Sequence, residues 1–131
     1  MNIRIGHVAR DTGQYIGRAG HGRPASVLAN PFRIGRDGTR EEVIARYKRW
    51  LWGKIKANDD TVMAELNRLL ELAKTRPEGL TLVCFCRRLG KAEPACHGDV
   101  IKSALEWMDK QETDADPVVA AAQELGGEVV W

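Results

Sequence analysis

LTLVCFC, residues 80–86, is apolar at every position except Thr81. A strand with one wet face would alternate polar and apolar side chains. A run apolar on both alternating faces reads as a strand buried on two sides, as in a parallel sheet between helices. The segments around it agree. Upstream, Asn58–Asp59–Asp60 is a helix start signal, followed by an apolar stripe of Val62, Leu66, Leu69, Leu70 and Ala73; Pro77–Gly79 ends it. Before that, Thr39 and Glu42 have the spacing of a capping box. Val43, Tyr47, Trp50, Leu51 and Ile55 then recur at three and four residues, with Gly53 a weak point near the end. Downstream, Val100, Ile101, Ala104, Leu105 and Met108 outline a third helix.

The termini extend the alternation. Ile3, Ile5 and Val8 fit a first strand with a one-residue slip at Gly6–His7. Near the other end, Asp116 caps a short helix with Pro117 in its first turn; VVAAAQEL stops at Gly126–Gly127, and EVVW reads as a closing strand. Strands alternating with helices predict an α/β domain over residues 1–131, a small Rossmann-like three-layer fold with a short, mostly parallel sheet.

A chain of 131 residues buries a core without staples. No apolar run reaches the roughly 20 residues of a membrane-crossing helix, and MNIRIGHVAR lacks the apolar centre of a signal peptide. The expectation is a cytoplasmic protein with reduced thiols and no membrane partner; the oligomeric state is left open. Charge is unevenly spread. Residues 1–40 hold seven arginines, no lysine and two aspartates, whereas the remainder carries 13 basic and 16 acidic residues. Arginine's rigid fork suits phosphate and carboxylate, and the long basic helix or Lys-rich tail usual for duplex nucleic acid is absent. The pattern points to a small anion-recognising patch.

That patch falls in a long Gly/Arg-rich loop, residues 11–38, of a length that is often functional. YIGR (15–18), NPF (30–32) and IGRDGTREE (34–42) stand out in and just after it. Gly38–Thr39 leads into a helix N-terminus, whose N–H groups and dipole suit an anion. Arg18, Arg33, Arg36 and Arg40 can supply forks to it, and Tyr15 or Phe32 can stack on a base. Gly17 and Asn30 complete the candidate ligand-binding set. Equally, the glycines can serve only to turn the chain while the arginines sit in water. His7 and His21 are weaker candidates, and His21, between glycines, reads as a solvated loop residue.

CFCRRLGKAEPACHGD (84–99) holds all three cysteines and His97. Cys84 and Cys86 share one strand face; Cys96–His97 begins the following helix, with Asp99 as cap or first-turn acid. Strand end and helix start are neighbours in such a unit. Three readings compete. Cys84 and Cys86 can be small buried apolar residues, with His97 a cap or exposed. Cys84, Cys86, Cys96 and His97 have the donor set of a zinc site, although C-x-C-x9-C-H departs from the usual pair spacing. Alternatively, Cys96 is a thiolate activated by Arg87, Arg88 and the helix N-terminus.

Taken together, YIGR, NPFRIGRDGTREEVIARYKRWL, the CFC strand end and CHGDVI resemble a bacterial and phage family, domain of unknown function 4326, over about Tyr15 to Leu105. GRDGTREE is also similar to the P-G-G-x-G-T-x-x-E loop of Rossmann-like nucleotide-binding phosphoribohydrolases, with Arg36 and Asp37 in place of the tandem glycines. That likeness implies phosphate held at the glycines and N-glycosidic chemistry served by a glutamate and an arginine; by analogy Glu41 is the candidate acid, and Cys96 and His97 are further catalytic candidates nearby. The leading expectation is therefore a domain for a nucleotide or nucleoside derivative. The alternatives are a zinc-stabilised module for nucleic acid or a protein partner, and a cysteine-thiolate enzyme.

Overall fold

A computed structural model describes residues 1–7, 9, 11–20, 22–84 and 97–114. The chain forms β1 (Ile3–His7), β2 (Gln14–Tyr15), α1 (Arg40–Lys56), α2 (Asp60–Thr75), β3 (Leu80–Cys84) and α3 (His97–Asp114). The closing helix and strand expected after Asp116 lie outside the described residues.

The strands make a short, open, all-parallel sheet in the order β1-β3-β2. Register pairs Ile3 with Leu80 and Ile5 with Leu82, so these four side chains share a face with Cys84. Ile3, Leu80, Leu82 and Cys84 join one continuous core with residues from α1, α2 and α3, and Ile5 packs against it. The three helices also touch one another pairwise. A three-layer wrap would part them by the sheet; among the described residues they cover one face together. The molecule is thus a mixed α/β fold of helices on a small parallel sheet. No helix of the described residues is long and apolar enough to cross a membrane.

Local chemistry starts each helix where it starts. Thr39 caps α1, its hydroxyl accepting from the Glu42 amide at 3.3 Å while Glu42 Oε1 accepts from the Thr39 amide at 3.0 Å. Asp59 caps α2, accepting from the Val62 amide at 3.0 Å. The apolar stripes then bury Val43, Tyr47, Leu51 and Ile55 on α1 and Val62, Leu66, Leu69, Leu70 and Ala73 on α2. Gly53 does not interrupt α1, and Trp50 and Trp52 are both half-buried, Trp52 meeting Trp107 edge-on at 5.4 Å.

β2 arises inside the loop read as irregular. It runs so close to β3 that a Cβ on Gly13 would lie 2.4 Å from the Thr81 carbonyl oxygen. Backbone cannot yield as a side-chain tip can. Gly13→Ala is therefore expected to cost about 1–3 kcal/mol, read as a lower urea midpoint with unchanged slope; wild-type stability would show that β2 is not held this tightly.

Candidate functional site

Three element ends meet at the carboxyl edge of the sheet. β2 ends at Tyr15, β3 ends at Cys84, and α3 begins at His97. A cavity of about 570 Å³ opens there, with Tyr15, Cys84 and His97 among its lining. Crevices outside strand carboxyl ends are the usual ligand sites of open parallel sheets.

The arginine-bearing loop forms the facing wall, held in place by its own hydrogen bonds. The Ile16 amide continues the ladder to the Val83 carbonyl at 3.0 Å, and the Ser26 amide donates to Gly17 O at 2.9 Å. Gly20 and Arg23 close a tight antiparallel turn. Buried Leu28 accepts at its carbonyl from the Tyr47 hydroxyl at 2.7 Å. Asn30 Oδ1 accepts from the Phe32 amide at 2.9 Å, an Asx turn. Arg18 spans this turn with Nε donating to Asn30 O at 2.8 Å and Nη2 to Phe32 O at 2.5 Å. Lysine would offer its donors from one nitrogen on a flexible stem, without the fixed planar fork that spans the two carbonyls here. Further on, Asp37 Oδ2 accepts from the Arg33 amide at 2.8 Å and pairs with Arg36 at 2.7 Å. The Arg36 hydrogen bond and that of the Arg33 amide hold the Asp37 carboxyl below its usual range.

Of the sequence-derived ligand set, Tyr15, Gly17, Arg18, Asn30, Phe32, Arg33 and Arg40 line the cavity. Gly38 and Thr39 do not; their helix start is closed by the reciprocal Thr39–Glu42 bonds rather than open to an anion. Glu41 is exposed and away from the lining. The Thr39 amide and hydroxyl hold the Glu42 carboxyl below the ordinary range, so it stays ionised and is a poor proton donor. Ile34, Val43 and Ile44 also line the cavity and supply an apolar wall. Val43 belonged to the helical stripe in the sequence, but nothing local marked Ile34 or Ile44 as lining a cavity.

His97 is not the exposed or capping residue that the apolar-cysteine reading allows. It is 2% exposed, its Nε2 lies 2.7 Å from the Ile16 carbonyl oxygen, and its ring meets Tyr47 edge-on at 5.2 Å. A carbonyl only accepts, so Nε2 carries the hydrogen. Burial pushes the His97 pKa below the ordinary value, outweighing the opposing pull of the Ile16 bond and of Cys84. Cys84, fully buried, lines the same cavity. Asp99 is a first-turn acid of α3 rather than its cap. No three or more potential metal ligands gather among the described residues; Cys86, Cys96 and His21 lie outside them.

The family described as Domain of unknown function (DUF4326) matches residues 3–107. The chain belongs to the DUF4326 family. That span runs from β1 into α3 and takes in both walls of the cavity. No curated protein and no solved structure matches this DUF4326 chain.

Proposed function

We propose that this DUF4326 domain binds a nucleotide or nucleoside derivative in the cavity at the carboxyl edge of its sheet. The observation that carries the reading is the lining itself. Arg18, Arg33 and Arg40 contribute to it, and no described lining residue is Asp or Glu. Arg18 has two donors engaged on backbone carbonyls, so the anionic group falls first to Arg33. Arg33 is exposed, and its guanidinium has no ion-pair partner among the described residues.

Phe32 is the better platform for a base. Tyr15 already carries the Arg23 guanidinium 5.3 Å over its ring, and its hydroxyl donates to Arg18 O. Phe32 is half-buried without a described aromatic partner, and stacking on such a ring is worth about 1–3 kcal/mol per base. A parallel sheet with its cavity at the strand carboxyl ends is also how Rossmann-like folds present nucleotides, and the GRDGTREE likeness points to the same ligand class. The reading is one of binding: with Glu41 outside the lining and Glu42 tied into its cap, neither supplies an acid for N-glycosidic cleavage in the cavity.

Isothermal titration of the full chain with nucleoside mono- and diphosphates tests it. Arg33→Ala is expected to weaken binding about tenfold, the scale of a hydrogen bond to a charged group, and added salt is expected to weaken the wild type. Flat titrations with every nucleotide would overturn the reading.

A further inference from the structure

Asn30 is the buried cavity residue whose hydrogen bonds do not balance. It is 6% exposed and lines the cavity. Its backbone carbonyl accepts from Arg18, and its side-chain Oδ1 accepts from the Phe32 amide at 2.9 Å. The second bond fixes which way the amide points: an N–H needs an acceptor, so Oδ1 faces Phe32 and Nδ2 lies opposite. The two Nδ2 hydrogens have no acceptor among the described residues. Buried amide hydrogens rarely go unmatched, and Nδ2 can only donate.

Resting on the nucleotide reading above, we propose that Asn30 reads the base. Its Nδ2 donates to the 4-oxo oxygen of a uracil or the 6-oxo oxygen of a hypoxanthine stacked on Phe32, selecting these oxo-base nucleotides over cytosine and adenine, which carry an amino group at that position. A phosphate is the poorer match for this position. Asn30 is neutral and more than nine-tenths buried, where a charge is costly to desolvate, while exposed Arg33 and half-buried Arg40 offer positive charge nearby. Ring and reader also move as one piece, because the Asx turn ties the Phe32 amide to the Asn30 side chain and the Arg18 fork holds both carbonyls. An amino base would set N–H against N–H here, and no described lining carboxylate is present to accept from it.

The test uses matched ligands: uridine against cytidine monophosphate, inosine against adenosine monophosphate, and ribose 5-phosphate. Calorimetry on the full chain is paired with the Asn30 side-chain amide resonances of ¹⁵N-labelled protein. The oxo member of each pair is expected to bind about tenfold or more tightly, the effect of one mismatched buried hydrogen bond, and to shift the Asn30 resonances where ribose 5-phosphate does not. Asn30→Asp keeps the acceptor for the Phe32 amide and the side-chain shape, and replaces the donor. Its new charge weakens all phosphates alike, so the ratio within each pair is the readout, and that ratio is expected to collapse. Equal affinities within both wild-type pairs would overturn the role of Asn30 and leave the nucleotide site standing. So would an unchanged ratio in Asn30→Asp, or an equal Asn30 shift with ribose 5-phosphate. Absence of binding by any nucleotide would overturn both.

Discussion

Tyr47→Ala is expected to cost about 3–5 kcal/mol of folding stability, the range for emptying a large aromatic site in a packed core. Tyr47 is fully buried on α1 and joins three parts of the molecule. Its ring packs 5.5 Å from Trp50 and edge-on to His97, and its hydroxyl donates to the carbonyl of Leu28. Little of this can relax into the gap, since Leu28, Leu51 and His97 are themselves buried. Tyr47→Phe separates ring from hydroxyl. The ring stays, and the buried Leu28 carbonyl loses its donor, at about 1–3 kcal/mol. Urea unfolding followed by tryptophan fluorescence measures both, and the slope should hold while the midpoint falls. Because Leu28 leads into the Asn30–Phe32 turn, Tyr47→Phe is also expected to weaken the nucleotide binding proposed above. A silent Tyr47→Phe in both measurements would show that the hydroxyl does not anchor the loop.

Acid is expected to destabilise the protein through His97, beginning well above the carboxylate range. The neutral imidazole is buried and donates from Nε2 to the Ile16 carbonyl, and burial lowers its folded pKa. In the unfolded chain it titrates near 6.5. Below that pH the unfolded state holds a proton that the native state refuses, so stability rises with pH through this window. Full stability is therefore present above about pH 6.5, and it falls by up to about 1.4 kcal/mol per pH unit on acidification, until the native imidazole itself charges. Carboxyls held low in the folded state, Asp37, Glu42 and Asp59, act in a lower window: their contribution is lost as pH falls below about 4. Urea midpoints between pH 7.5 and 5 read the His97 step. His97→Gln keeps an N–H for Ile16 O but does not titrate, so its midpoints should stay nearly level over that interval. Equal slopes in the two proteins would exclude His97 as the origin.

Helix starts were legible because their chemistry is local. Thr39 with Glu42, and Asp59 with Val62, satisfy orphan amides within one turn, and the stripes behind them repeat at the helical period. The two-faced apolar run at Leu80–Cys84 likewise announced the central strand. β2 was not legible. Two residues carry no periodicity, and Gln14–Tyr15 become a strand only because β3 offers its edge and Gly13 lets the backbones approach. Arg18 read as an anion clamp, yet two of its donors brace the Asn30–Phe32 turn, a use set by carbonyls twelve and fourteen residues away.

By itself, the sequence determined an α/β chain with capped helices, a buried central strand and arginines concentrated before α1, since each follows from side chains close together along the backbone. Only the tertiary structure decided that the loop and the strand ends share one cavity, that His97 lies inside against Ile16 and Tyr47, and that Asn30 is buried at that cavity with its Oδ1 on the Phe32 amide. The physical reason is distance along the chain. His97 and Ile16 are 81 residues apart, and no local preference specifies a hydrogen bond that forms only once helices and sheet have packed.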